Sequence, residues 1–94
     1  MKSKALFEEM VEILKSIGYT VRKDNGSFTG GACIVKEQKL IVLNKNYPIE
    51  AYVDILASIL YDYLDKIYIK PKVREFIESE GKKVSTPIEI IVNK

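Results

Sequence analysis

The stretch that decides the fold is residues 49–64, IEAYVDILASILYDYL. Its polar side chains recur at every fourth position, at Glu50, Asp54, Ser58 and Asp62, and nearly all the other side chains are apolar. Because side chains four residues apart lie on one face of an α-helix, this spacing predicts a long helix with a single narrow polar stripe. A helix that is apolar on its remaining sides belongs at the centre of a core, and we expect the rest of the chain to pack around it.

Two further helices are predicted, one on either side of the long helix. Residues 3–17 carry apolar side chains at helical spacing, and Gly18 can supply the left-handed conformation that ends such a helix. Pro71 is suited to the first turn of a third, shorter helix, which we expect to end at Gly81.

Strand-like segments fill the interval between the first two helices. Residues 19–23 alternate in polarity and lead into the turn 24–26, Asp-Asn-Gly, which is typical of a hairpin, with residues 27–37 as the returning strand. Residues 40–43 are apolar at every position, which favours a central strand that is covered on both faces or paired on both edges. We therefore expect a three-stranded antiparallel meander.

The C-terminal tail, residues 82–94, is also β-prone. It places Ile88, Ile90 and Val92 on one face of an extended strand, and such a set needs to be covered. The tail can add a fourth strand to the chain's own sheet or pair with a second copy. The sequence thus predicts an α+β domain over residues 1–81 followed by this tail.

Composition limits the possible functions. The 94 residues include 15 basic and 13 acidic side chains, a net charge of +2, which is weak for a dedicated nucleic-acid binder. The absence of histidine excludes a histidine general base and histidine-ligated zinc. The single cysteine, Cys33, excludes an intramolecular disulfide, and the sequence has neither a signal-peptide pattern nor an apolar run of about 18–20 residues. We expect a cytoplasmic protein that does not enter a membrane.

One segment is locally basic. Residues 66–74 carry Lys66, Tyr68, Lys70, Lys72 and Arg74 without an acidic side chain among them. Basic side chains interleaved with an aromatic ring can bind phosphates and stack on bases, so these residues are the candidate nucleic-acid contacts. The alternative interpretation is an ordinary solvated rim.

Two other features could carry chemistry. The carboxylates of Glu50, Asp54 and Asp62, with Ser58 between them, could bind a hard cation or act as an acid–base pair, or they could simply be the solvated face of the long helix. Cys33 stands between apolar neighbours, which favours a buried small side chain over a reactive thiol.

Tyrosines gather around the long helix and indicate either core packing or an interface between two copies. They are Tyr47, Tyr52, Tyr61, Tyr63 and Tyr68. Tyrosine is favoured where a surface is half-buried, and Tyr61 lies next to the polar stripe. We therefore take Tyr61, together with Ile88, Ile90 and Val92, as the candidate interface residues.

Residues 31–44 and 55–64 resemble the IrrE/ImmA-type zinc peptidases, in which a strand ending in Leu-Asn precedes a helix that carries the zinc-binding histidines and the catalytic glutamate. The resemblance implies a zincin-like scaffold. In this chain Ser58 stands at the first histidine position, Ile59 at the glutamate position and Asp62 at the second histidine position. The resemblance therefore implies a non-catalytic relative that kept the scaffold but not the zinc ligands.

Taken together, the sequence favours a small non-enzymatic interaction or scaffold module, with a protein partner or a second copy of itself as a homodimer. It predicts no catalytic residues, no metal ligands and no cofactor. Nucleic-acid binding through residues 66–74 is the first alternative, and a degenerate zincin-like hydrolase scaffold is the second.

Overall fold

The computed structural model describes residues 2–25, 30–82 and 88–91. Three helices and the strands of one mixed sheet follow one another in the order α1 (Ser3–Ser16), β1 (Thr20–Asp24), β2 (Ala32–Val35), β3 (Leu40–Asn44), α2 (Ile49–Tyr61), α3 (Pro71–Glu80) and β4 (Ile88–Ile91). The α+β class and the three helices are confirmed. The helix α2 ends at Tyr61, earlier than the sequence pattern predicted, and a turn follows it, although Leu64 is still buried.

The strand β3 lies inside the sheet, whose order is β1-β3-β2-β4. It pairs in parallel with β1 and antiparallel with β2, and β4 pairs in parallel with β2. The predicted antiparallel meander is therefore wrong, because β1 and β2 are not neighbours and cannot form a hairpin. The physical reason is the apolar run in β3, which loses exposure most completely when the strand is paired on both edges.

Asn44, at the C-terminal end of β3, contacts both the two residues that precede β2 and the central helix α2. The backbone N–H of Asn44 donates to the carbonyl of Gly31 at 2.8 Å, and its side-chain Nδ2 donates to the carbonyl of Gly30 at 3.0 Å. The hydroxyl of Tyr52 in α2 donates to the carbonyl of Asn44 at 2.7 Å. One residue thus fixes Gly30 and Gly31 at the start of β2 and attaches the end of the sheet to the central helix.

The helices pack on one face of the sheet, and strand alternation explains which side chains they cover. Ala32 and Ile34 in β2, with Ile41 and Leu43 in β3, belong to the buried core. Core side chains from the helices include Met10, Leu14, Ile55, Leu56, Leu60, Val73 and Ile77, each of them fully buried. The predicted place of the long helix at the centre of the core is confirmed.

No helix among the described residues packs on the other face of the sheet. The register places Leu40 and Val42 in β3 beside Val35 and Cys33 in β2 on this face. Val42 is buried and the other three are half-buried. Hereafter we call these four residues the helix-free face.

Two glycines end helices in different ways. Gly18 has φ +95°, the left-handed conformation that was predicted for the end of α1. α3 ends at Glu80 with Gly81 as its C-cap, as predicted, although Gly81 has φ −61° and is not left-handed. Gly81 instead permits a close approach, since an added Cβ would lie 2.6 Å from the carbonyl oxygen of Ile77 and 2.9 Å from the ring of Tyr61.

Candidate functional site: the tyrosine cleft

A cleft of about 320 Å³ opens between the N-terminal end of β1, strand β2 and the C-terminal part of α2. The described residues that line it combine two phenols, two isoleucines, two lysines, a serine and an aspartate. They are Tyr19, Ile34, Lys36, Ser58, Ile59, Asp62, Tyr63 and Lys66. We call this site the tyrosine cleft.

A pair of tyrosines gives the cleft its name. The hydroxyls of Tyr19 and Tyr63 lie 3.2 Å apart, within hydrogen-bond distance, and their rings meet edge to face with centroids 6.3 Å apart. Burial, together with the smaller effect of the hydrogen bond to Tyr63, raises the pKa of Tyr19 to about 12. Tyr19 is therefore a neutral phenol at physiological pH, able to donate or accept a hydrogen bond but not to act as a base.

Ser58 presents a hydroxyl whose proton already forms a hydrogen bond within α2. Its Oγ donates to the carbonyl of Ile55, one turn earlier in α2, at 2.7 Å. The hydroxyl oxygen keeps its lone pairs and can still accept a hydrogen bond from a ligand. An activated serine nucleophile needs an adjacent base to take its proton, and this geometry directs the proton to a backbone carbonyl instead.

Lysine ammonium groups surround the tyrosine pair. The Nζ of Lys66 lies 5.8 Å from the ring centroid of Tyr63, and the Nζ of Lys39 lies 5.9 Å from that of Tyr19. Lys36, at the end of β2, is a third exposed lysine, and it lines the cleft itself. Both tyrosine rings therefore face positive charge, which their π faces stabilise.

The polar stripe of α2 is divided between two environments. Ser58 and Asp62 line the tyrosine cleft, whereas Asp54 is half-buried toward the end of α3. Burial raises the pKa of Asp54, and the nearby charge of Glu80 raises it further. Of the two interpretations of these carboxylates, the hard-cation site receives no support, since no three potential metal-ligating side chains come together among the residues that the structure describes.

The basic segment is spread over several surfaces. Lys66 belongs to the tyrosine cleft, and Tyr68 is 81% exposed. The Nζ of Lys70 lies 3.1 Å from a carboxylate oxygen of Glu9 in α1, while Lys72 lies beside Leu6 and Phe76.

Arg74 has a structural role at the start of α3. Its Nη1 donates to the carbonyl of Leu64 at 2.7 Å, which ties α3 to the turn after α2. The guanidinium also lies 3.7 Å from a carboxylate oxygen of Asp65 and 3.8 Å from one of Glu78. Much of its charge is therefore engaged within the chain.

The candidate interface residues belong to different elements, since Tyr61 ends α2 whereas Ile88 and Ile90 lie in β4. Tyr61 is half-buried, with the Nζ of Lys82 lying 5.2 Å from its ring centroid. A hydrogen bond from Lys82 to the Tyr61 hydroxyl raises the pKa of that lysine. In β4, Ile88 and Ile90 occupy register positions opposite Ala32 and Ile34 of β2, and Val92 lies outside the described residues.

Cys33, expected to be buried, is half-buried on the helix-free face.

Sequence reasoning missed the contributions of Tyr19 and Lys36 to the cleft. The paired tyrosines Tyr19 and Tyr63 are 44 residues apart, and no spacing rule connects them. Lys36 begins the turn after β2 and has no pattern of its own. The other polar residues of the lining had been singled out for separate reasons, without a signal that they share one cleft; they are Ser58, Asp62, Tyr63 and Lys66.

Comparisons of the chain with protein-family models, with curated proteins and with solved structures found no match. None of the described helices combines the length and the apolar character that crossing a bilayer requires. The positions singled out by the zinc-peptidase resemblance, Ser58, Ile59 and Asp62, all line the tyrosine cleft.

Proposed function

We propose that this chain is a non-enzymatic interaction module that binds its partner through the tyrosine cleft. The observation that carries the proposal is the chemistry of the described cleft lining, which offers charge, hydrogen bonds and apolar surface, while the hydroxyls of Tyr19 and Ser58 are not prepared for proton transfer. Tyr19 is neutral at physiological pH, and the proton of Ser58 is directed to a backbone carbonyl. A general base works best with a pKa near the working pH. Binding without conversion is the function that this lining favours.

A pair of matched serine variants tests the proposal. Ser58→Phe places a ring in the tyrosine cleft. Ser79→Phe is the control, because the Oγ of Ser79 also donates to a carbonyl three residues earlier, that of Phe76 at 3.3 Å, on an exposed part of α3. The measurement is ligand-observed NMR with a fragment library that contains neutral, cationic and anionic compounds.

We expect fragments that bind the native protein to lose their signal with Ser58→Phe, to keep it with Ser79→Phe, and to be recovered chemically unchanged. Binding that is insensitive to Ser58→Phe would place the interaction elsewhere. Conversion of a bound fragment into a product would show that the module is an enzyme.

A cytoplasmic location belongs to the same proposal, since one cysteine suits a compartment in which disulfides do not form.

Self-association is a second hypothesis about the partner, and the half-buried apolar side chains of the helix-free face favour it. Size argues against a stable dimer. Even a face that spans all four strands, which are about 4.8 Å apart and each have four or five residues of about 3.3 Å, measures only roughly 300 Å². A stable interface buries about 800 Å² on each partner. We therefore propose that the helix-free face supports at most a weak homodimer.

Removal of residues 83–94 tests whether the tail forms an interface. Because β4 pairs with β2 in the chain's own sheet, we expect the shortened protein to melt at a lower temperature with an unchanged monomeric mass. Light scattering and thermal melts of the shortened and complete forms make the comparison. A change from dimer to monomer with the same melting temperature would support a dimer joined by Ile88, Ile90 and Val92 instead.

Nucleic-acid binding is the alternative proposal. The exposed ring of Tyr68 favours it, whereas the ion pairs of Lys70 and Arg74 weaken the positive field around that ring. If the proposal holds, Tyr68→Ala should reduce binding of a single-stranded oligonucleotide, with a steep dependence on salt concentration. If the native protein does not bind the oligonucleotide even at low salt, this alternative is wrong.

A zincin-like scaffold without its zinc site is the third proposal. Its support is the convergence of Ser58, Ile59 and Asp62 on the tyrosine cleft. Zinc in a catalytic site is held by three good protein ligands, and one serine hydroxyl with one carboxylate does not fit that requirement. We expect the purified protein to hold no stoichiometric zinc in elemental analysis, and one tightly bound zinc ion per chain would contradict this expectation.

A further inference from the structure

We infer that the tyrosine cleft binds a small organic anion that has an apolar body and a single negative charge. This inference rests on the proposed function, because it names the class of ligand for the same cleft.

The charges around the cleft favour an anion. Lys36 and Lys66 are exposed at its rim, and neither forms an ion pair with a described residue, in contrast to Lys70 and Arg74. Among the described residues of the lining, Asp62 alone is acidic. Two lysines against one aspartate leave the cleft with a net positive charge, so that an anionic group between the lysines is attracted.

The same aspartate limits the charge of the ligand. A second negative charge would have to approach Asp62, and like charges at short distance repel one another. An anion with one charge can lie at the lysines while its uncharged end extends away from Asp62. We therefore infer a monocarboxylate rather than a polyanion such as a nucleotide triphosphate.

The remaining lining favours an apolar body. Ile34 and Ile59 contribute aliphatic surface, and Tyr19 and Tyr63 contribute aromatic rings. The volume of about 320 Å³ is at the lower end of the range of about 300–1,000 Å³ that is usual for ligand pockets. A single ring on a short chain suits this space, with the tyrosine hydroxyls and the Ser58 oxygen available for hydrogen bonds.

The experiment uses three probes of nearly equal size that differ in charge. They are 3-phenylpropionate, 3-phenylpropionamide and 3-phenylpropylamine, titrated separately while the NMR signals of Tyr19 and Tyr63 are followed. We expect the carboxylate to bind most tightly and the amine least tightly. Lys36→Gln and Lys66→Gln should each weaken carboxylate binding about threefold, because an exposed charge pair contributes about 0.2–1 kcal/mol.

Two further variants complete the design. Asp62→Asn removes the repelling charge and should tighten carboxylate binding about twofold to threefold. Lys45→Gln is the matched control, since Lys45 is exposed at the opposite end of the β2–β3 pair from Lys36, and it should leave the affinity unchanged.

The outcomes separate the inference from the proposed function. If the amide or the amine binds at the cleft as tightly as the carboxylate, the cleft is a binding site but the inference of an anion is wrong. If the lysine variants and Lys45→Gln behave alike, the inference is also wrong. If no probe and no library fragment shifts the signals of Tyr19 or Tyr63, both the inference and the proposed function fail.

Discussion

The two sides of α2 differ in what they contact, and the difference explains how one helix can be both core and binding surface. Toward the sheet and α1, Ile55, Leu56 and Leu60 are completely buried. On the polar side, Asp54 lies within the electrostatic influence of Glu80 in α3, and Ser58 opens into the tyrosine cleft. The apolar side fixes the position of the helix, and the polar side is consequently free to form part of a cleft. The predictions below test this division.

The largest effect is expected at Leu56. Leu56→Ala removes fully buried methyl groups and leaves a cavity, so it should lower the free energy of unfolding by about 2–4 kcal/mol in urea titrations. Ile59→Ala is the matched control, because Ile59 is half-buried and already borders the open cleft. We expect about 1 kcal/mol or less for Ile59→Ala, since water can enter the space that is left. Equal losses at the two positions would show that the helix faces have been assigned wrongly.

The second effect concerns the α2–α3 seam, our name for the contact of Gly81 with Ala57 and Tyr61 of α2. At Gly81, φ is ordinary, so an alanine would normally be tolerated or even slightly favourable. Here the added Cβ would meet the carbonyl oxygens of Ile77 at 2.6 Å and of Ala57 at 3.1 Å, and backbone atoms cannot move away easily. We therefore expect Gly81→Ala to destabilise the protein by about 1–3 kcal/mol in thermal or urea unfolding.

An exposed neighbour provides the control for the seam. Ser79→Ala changes α3 two residues earlier, where the side chain is exposed, and should stay within about 0.5 kcal/mol of the native protein. A Gly81→Ala protein as stable as the Ser79→Ala protein would mean that α3 can shift away from α2 without loss.

The helices could be predicted from the sequence because their signals are local. Apolar spacing located α1 and the centre of the core, Pro71 located the start of α3, and Gly18 located a left-handed helix end. The pairing of β1 with β3 could not be predicted in this way. The Asp-Asn-Gly sequence favours a hairpin locally, whereas the apolar run of β3 requires partners on both edges, and this non-local requirement decides the order of the strands.

The tyrosine cleft was predictable only in part for the same reason. The stripe that includes Ser58 and Asp62 follows from helical periodicity. The contact between Tyr19 and Tyr63 depends on how the sheet and the turn after α2 are brought together, and it spans 44 residues of sequence. The basic segment shows the converse case, since side chains that are close in sequence, such as Lys66 and Arg74, end at different surfaces with different partners.

The smallest effect is expected at Asp54, and its sign depends on pH. Burial, followed by the charge of Glu80, raises the pKa of Asp54 above its usual 3.8 in the folded protein. A carboxyl group with a raised folded-state pKa stabilises the fold below its unfolded-state pKa, and this stabilisation is lost as the pH rises through the folded-state pKa. Asp54→Asn, which stays neutral, should therefore be slightly more stable than the native protein at neutral pH, by about 0.5 kcal/mol or less.

That difference should disappear as the pH falls toward 3.8, because the native Asp54 is then increasingly protonated in both the folded and the unfolded states. Urea titrations of the two proteins at several pH values measure it directly. Repeating them in a Glu80→Gln background should reduce the effect of Asp54→Asn, since the repelling charge is gone. If Asp54→Asn is instead destabilising at neutral pH, then the carboxylate makes a favourable contact at the α2–α3 seam, and the polar side of the central helix contributes to holding the core together.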